Sequence, residues 1–496
     1  MTPRPGPHSW GETADPRTAD ALLEAALDAA TGPGVDHADV RLVECEELRL
    51  YAHHGAAPDE RVEHNLGIGV RVLLDGAWGF AGLPLGDHTT AREAAHRAVA
   101  NATEAARVNT ERVTLPARTA VTGRFSTPVR TDPFAVPAQE RYALLDAVLA
   151  AATAPARVVS AQAGFNAKRQ HRHFADTEGS RQHQDFTESG AMLMAFAADR
   201  GQVQRRSYPN SFHGNTAAAG WEYVRSLDLV EEAARVGDEA VALLTAPTAD
   251  PGIADLVIGP AQMSLQIHES CGHALELDRI LGDEANYAGT SFITKDAIGA
   301  LRYGSEAVDI TADPTLPGTR GTFAFDDEGT PAARRPLVTR GVVRDFLSHR
   351  DSAARIGRAP IGAARSDGWA YPPVCFATNV FLEPGRGSTG ELLERLGDGY
   401  LIDDNRSWSI DERRLNFQFG TEVAYEVRNG CKGRLLRDFS YGGTTPQFWG
   451  SVEAVAGPEE FKAFGMPCGK GEPKQWGFLG HGAAPTLVRG VRIGVA

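Results

Sequence analysis

Apolar residues along this chain alternate between helical and strand spacing. Residues 17–31 (RTADALLEAALDAAT) set Leu and Ala three and four apart and predict a first helix, closed by the Gly32-Pro33-Gly34 turn. Strict alternation follows in ADVRLVECEELRLYAHHG and in LGIGVRVLLDGAWGFAGLP, where Asp75-Gly76 marks a hairpin turn between two strands. A second helix is predicted over 89–107, so a small α+β unit ends near residue 110. Residues 111–137 carry repeated prolines and little periodicity and read as a linker or crossover. A helix over 138–153, alternating segments over 157–207 and an amphipathic helix over 226–246 form a middle region. After the PTADPG break, a short strand (ADLVIGP) runs straight into a helix carrying HESCGH. Beyond residue 285, turn dipeptides and short apolar runs predict mostly strands, with ELLERLGDG (391–399) as one helix. The predicted fold class is α+β. It divides into an N-terminal α+β domain (1–110), a middle α+β region continuous with it (111–247), and a β-rich C-terminal domain (248–496) carrying the candidate metal-binding helix.

Composition narrows the function classes. The 64 Asp and Glu outnumber the 50 Lys and Arg, for a net charge of -14, which disfavours a phosphate-backbone binder. Five widely spaced cysteines (Cys45, Cys271, Cys375, Cys431 and Cys468) fit a reducing compartment better than a disulfide framework. The N-terminus (MTPRPGPHSWGETADP) lacks the apolar core of a signal peptide, and no apolar run reaches membrane-spanning length. A soluble cytoplasmic protein is expected.

HESCGH, residues 268–273, holds the chemistry. With 15 histidines in the chain, an H-E-x-x-x-H pattern should arise by chance only about 0.03 times. His268 and His273 stand five apart, one more than in the familiar H-E-x-x-H motif. On a regular α-helix that spacing turns them about 140° apart, so the two rings cannot easily share an ion. A local π-turn or an irregularity at Gly272 would bring them together. A hydrolytic zinc site wants three protein ligands and an open position. Glu269, beside His268, suits a general base that takes a proton from water activated at the metal. The third ligand stays open between Glu276, Asp278 and a cysteine. Cys468 sits in a Gly-rich loop suited to presenting a thiolate, whereas Cys271 within the helix points away from the histidines.

HESCGHALELD (268–278) resembles the H-E-x-x-G-H-x-x-E-x-D signature of the TldD/PmbA metalloproteases, also known as modulators of DNA gyrase or microcin-processing proteases. The segment centred on DDEG (304–331), the T-N-x-x-x-x-P-G segment (376–402) and CGKGEP from Cys468 are similar to family segments as well, so the likeness covers most of the chain. The resemblance implies that His268, His273 and Cys468 bind Zn2+, with Glu269 as the catalytic carboxylate. It implies a TldD-type active subunit, dimeric with itself or with an inactive TldE/PmbA-type paralogue. Such dimers enclose a chamber in which an unfolded peptide substrate lies along a sheet edge. Rival functions are a non-catalytic modulator subunit and an amide hydrolase tailoring one natural-product precursor.

DNRSWSIDERRLNFQFGTE (404–422) departs from the family's Gly-rich G-G-G-x-V-D pattern and puts substrate choice in question. The remaining features have plain readings. His171, His173 and His183 read as solvated strand faces. Asp326, Asp327 and Glu328 read as turn chemistry around Gly329. Arg205-Arg206 and Arg334-Arg335 are too short for a nucleic-acid patch. Each Trp reads as core, and Glu276 and Asp278 read either as partners of the metal ligands or as ion-pair partners of Arg279.

Overall fold

The computed structural model describes residue 11 and residues 15–85, 88–109, 112–211, 213–471 and 474–494. Most of the N-terminal stretch read for a leader, and Glu472 and Pro473 of CGKGEP, lie outside them. The first half comprises α1 (Pro16–Ala30), β1 (Val35–His53), β2 (Asp59–Leu74), β3 (Ala77–Pro84), α2 (His88–Val108), β4 (Thr122–Ser126), α3 (Ala138–Ala152), β5 (Val158–Asp176), β6 (Arg181–Asp199), β7 (Gln202–Tyr208), β8 (Asn215–Ala217), α4 (Trp221–Arg225) and α5 (Leu229–Leu243). The Asp15 carboxylate accepts the Arg17 N–H to start α1, which buries Leu23, Ala26 and Ala30 against Val40, Ile68 and Val70. Asp75 and Gly76 both take positive φ, the backbone a two-residue hairpin needs to match strand twist.

β1 pairs antiparallel with β5 from Asp39↔Asp176 to His53↔Gln162. That ladder fuses the N-terminal and middle regions into one sheet of order β3-β2-β1-β5-β6-β4, with β7 and β8 also paired to β6. The stretch expected as a linker supplies β4, parallel to β6. The histidines of β5 and β6 lie on strands, as expected; His171 and His183 are partly exposed, and only His173 is buried. His173 is buried with its Nδ1 2.6 Å from His183 Nδ1, and His171 faces Asp185 at 2.6 Å. Packing His173 against the His183 ring takes it out of the water that an alternating polar strand implies.

The second half opens with β9 (Gly252–Ile258) and α6 (Pro260–Ile267). Strands Gly399–Ile410, β9, Thr486–Ile493, Ser440–Thr444 and Asn416–Arg428 are bonded in that order, and the last pairs back to the first, closing a ring. A second sheet ends in the hairpin of Lys462–Lys470 and Gln475–Ala483, with Lys462–Lys470 at its edge. The main core lies around α6, from Leu256 and Met263 to Phe376, Tyr441 and Trp449.

The DDEG segment does more than turn the chain. Gly329 has the positive φ of a turn, but Asp326, Asp327 and Glu328 are all buried. Arg71 bridges Asp39 at 2.7 Å and Glu328 at 2.7 Å, and Arg172 pairs with Asp327. These arginines come from β2 and β5, so the segment docks the two halves through charges that are paired because they are buried. Burial and the neighbouring Glu328 push the Asp326 carboxyl up to about 7. Arg206, read as part of a short basic cluster, is likewise buried, 2.8 Å from Asp404 and 2.8 Å from Glu239. It ties the divergent 404–422 segment to the middle region.

Candidate metal centre

Gly259 joins β9 to α6 at a place where only glycine fits, because a Cβ would stand 2.3 Å from the Asp403 carboxyl. That carboxyl accepts the Gln262 N–H at 3.0 Å and caps the helix. Burial and Asp404 raise it to about 6. Every residue of α6 is buried. Two of its glutamines are linked through a tyrosine: Gln262 Nε2 donates to the Tyr441 hydroxyl at 3.0 Å, which donates to Gln266 Oε1 at 3.1 Å. Trp449 Nε1 donates to Ser270 Oγ at 2.9 Å. Trp449 is thus core, as read from the sequence, whereas Trp408 is exposed.

At His268 the helix widens into a π-turn through Gly272, and the His273 N–H bonds to the His268 carbonyl five residues back. One extra residue in the turn puts His268 and His273 over each other, ring centroids 4.4 Å apart. Glycine's freedom is not what makes the turn. Gly272 has φ -51, and a Cβ there would make only 3.5 Å contacts.

Cys468 arrives from the edge strand, 195 residues on, with Sγ 3.3 Å from His273 Nε2. Ligand atoms of His268, His273 and Cys468 all lie within 4.8 Å of one another. Cys271 is in the apolar core instead. The surrounding hydrogen bonds fix which ring nitrogens face the cluster. His481 Nδ1 meets the Val380 carbonyl at 3.2 Å; a carbonyl only accepts, so Nδ1 carries the proton and Nε2 is an acceptor. His481 Nε2 therefore accepts from His268 Nδ1 at 2.9 Å, which leaves a lone pair on His268 Nε2. Glu276 Oε2 accepts from His273 Nδ1 at 3.1 Å and leaves His273 Nε2 free in the same way. Burial holds both imidazoles well below their usual pKa, helped at His268 by His273 and at His273 by Arg414, so both are neutral donors at pH 7. Burial raises the Cys468 thiol, with Glu269 and Glu276 adding to the effect. Two neutral imidazoles and one thiol are a donor set that fits zinc, whose charge would stabilise the thiolate.

Of the alternatives weighed for the third ligand, Glu276 and Asp278 do other work. Glu276 also accepts the Ala377 N–H at 3.0 Å and pairs with Lys470 at 3.0 Å, while Asp278 pairs with Lys470 at 2.8 Å. The Arg279 contact with Glu276 is real but longer, at 3.4 Å. Glu276 is thus an ion-pair partner and the orienter of His273 at once.

Two residues at the site escaped the sequence reading. One is His481, whose only sequence signal is a lone ring in the Gly-rich strand LGHGA. Replacing it as His481→Phe removes the acceptor for His268 Nδ1–H and should weaken metal affinity by about 10- to 100-fold, read by chelator competition. The other is Arg414, at positive φ in the tight turn between Gly399–Ile410 and Asn416–Arg428. Its Nη1 stands 2.7 Å from Glu269 Oε2. Burial raises the Glu269 carboxyl, and Arg414 opposes that rise.

Three family models match the chain in order: PmbA/TldA metallopeptidase domain 1 over residues 38–106, the central domain over 131–246 and the C-terminal domain over 251–494. The chain belongs to the PmbA/TldD metallopeptidase family. Among curated PmbA/TldD relatives it is 28% identical over 462 residues to a metalloprotease of Methanothermobacter thermautotrophicus, covering 93% of this chain and 96% of that one. It is 24% identical over 243 residues to a zinc metalloprotease TldD homolog of Saccharolobus solfataricus, covering 49% and 51% of the two chains. TldE from Thermococcus kodakarensis shares the fold with a TM-score of 0.71 at 15% identity, over 96% of this chain and 99% of that one. A Thermotoga maritima protein described as a candidate modulator of a DNA gyrase shares it with a TM-score of 0.76 at 18% identity, over 96% and 100%. The fold is the α+β architecture expected, with its β-rich C-terminal region, and no helix among the described residues is long and apolar enough to cross a membrane.

Proposed function

We propose that this PmbA/TldD-family chain is a zinc-dependent peptidase of the TldD type, hydrolysing amide bonds of unfolded peptides. The observation that carries this reading is the convergence of His268 Nε2, His273 Nε2 and Cys468 Sγ beside the Glu269 carboxyl. Zinc held by these three residues would supply Lewis acidity, activating water and polarising the scissile carbonyl. The chain's own residues do the rest. His481 and Glu276 aim the two imidazoles. Arg414 holds one oxygen of Glu269, leaving the other to take a proton from the attacking water and return it to the leaving amine. The Cys468 end of the edge strand Lys462–Lys470, beyond the Asn215 cap on Ala463 and Gly465, borders the site, so an extended peptide lying along that end would reach Glu269 in a sequence-tolerant way. The active form is a dimer, with a second copy or with a TldE/PmbA-type paralogue, working in the cytoplasm.

The test is metal analysis of the purified chain joined to cleavage of a denatured peptide, alone and with a paralogue; a metal-loaded protein that cleaves nothing in either setting refutes the reading. Arg414 supplies a second check. In Arg414→Gln the carboxyl of Glu269 loses its opposing cation and rises further. A base works only when deprotonated, so the acid limb of kcat/KM should move to higher pH, with kcat lower by about tenfold or more at neutral pH. An unmoved limb would separate Arg414 from the base.

A further inference from the structure

A cleft of about 530 Å3 lies between the β1–β5–β6 face and the 462–483 hairpin. Its walls include Lys168 from β5, Arg320, and Pro467, Trp476 and Phe478 from the hairpin. Successive strand residues point to opposite faces. Pro467 lines the cleft, so its neighbour Cys468 looks the other way, to His273. The hairpin is therefore a thin wall with the cleft on one face and the candidate metal centre on the other, and Lys462–Lys470 is its edge, capped at Ala463 and Gly465 by the Asn215 side chain.

Lys168 is 7% exposed. Its cross-strand neighbours are Glu47 and Glu188, the partners an ordinary sheet would give it. Both are engaged by arginines: Glu47 pairs with Arg49 at 2.7 Å and Glu188 with Arg320 at 2.9 Å. The remaining acid on the wall, Asp367, receives the Trp476 N–H at 3.3 Å. Among the described residues no carboxylate lies within ion-pairing distance of the Lys168 ammonium, which sits 4.0 Å over the Phe478 ring. Arg320 lies 4.5 Å from the same ring. The stem of Lys168 is buried while its ammonium, with both natural partners occupied, faces the open cleft, where an incoming anion would meet it.

The geometry points to a carboxylate-binding subsite at Lys168, which selects peptides carrying an anionic group away from the scissile bond. The subsite rests on the peptidase reading and names its substrate class: an extended peptide lying along the hairpin edge alternates its side chains between the face of Glu269 and the face of the cleft. The carboxylate can come from an acidic side chain or from the peptide's own C-terminus.

The test uses zinc-loaded full-length protein and a set of otherwise neutral, unstructured peptides. A single Glu is stepped along the amidated sequence, with Gln controls, and a parallel set carries a free C-terminal carboxyl. At one favoured position Glu should lower KM about tenfold against Gln; if the terminus is the source, the free acid should do so against the amide. Lys168→Met should bring that ratio to about one, and Lys168→Arg should keep most of it. Anisotropy with labelled peptides and the Glu269→Gln protein reads the same ratio as binding, without turnover, so a failed peptidase reading still leaves the subsite measurable. A wild-type ratio near one at every position and for both termini overturns the proposal whether or not the variants fold, and so does a ratio that survives Lys168→Met.

Discussion

Glu269→Gln should leave zinc content at the wild-type level and lower peptide turnover by about a thousandfold. The change is nearly isosteric, and the proposed metal donors are His268, His273 and Cys468, so that set keeps its shape. What is lost is the carboxylate proposed to take a proton beside the cluster. Burial raises this carboxyl and Arg414 at 2.7 Å opposes the rise, the arrangement a base working near neutral pH requires. An amide offers Arg414 an acceptor oxygen, so the side chain should stay in place without its charge partner. Zinc measured per chain together with peptide cleavage followed by chromatography decides the matter. Turnover within tenfold of wild type would mean that another group carries the proton, and parallel loss of zinc would mean that Glu269 helps hold the metal.

Different parts of the site were legible to different degrees. H-E-x-x-x-H is a local pattern, and helix geometry left its five-residue spacing to be met by a widened turn or by an irregularity at Gly272; the helix takes the π-turn, over His268–Gly272. Cys468 is another matter. Nothing in MPCGKGEP says which helix it faces; the pairing of Lys462–Lys470 with Gln475–Ala483 and the packing of that hairpin on α6 bring it 195 residues back to His273. The resemblance supplied that link. Asp326, Asp327 and Glu328 carry genuine turn signals, but their burial depends on Arg71 and Arg172 from another region, and a sequence window cannot contain both. Arg414 was hidden by its company: in DERR it resembles a solvated charge run, and only the tight turn before Asn416 points it at Glu269. The long elements fared better because each buries one face. The Leu and Ala stripe of α1 and the alternation of β1 are present whatever lies above them, which is why their ends fall within a few residues of expectation.

Cys468→Ser should strip most of the metal while leaving the fold intact. Sγ lies at the cluster's edge, on a strand whose pairing does not involve the side chain, and serine takes less room. A serine hydroxyl at neutral pH is a far weaker ligand than a thiolate, and two neutral imidazoles alone hold zinc poorly, so retained zinc after dialysis against a chelator should fall below about one-tenth of wild type. The pH dependence gives an independent reading. Burial and the nearby acids raise the Cys468 thiol above its ordinary value, whereas both histidines are held neutral well below theirs. Across neutral pH, then, metal uptake must expel one proton from the thiol and none from the imidazoles. Apparent affinity should climb about tenfold per pH unit in the wild type and lie nearly flat in Cys468→Ser, as followed by competition with a zinc-sensitive dye. Equal slopes in the two proteins, or full zinc in the variant, would take Cys468 out of the ligand set and return the third position to the open question posed by the sequence.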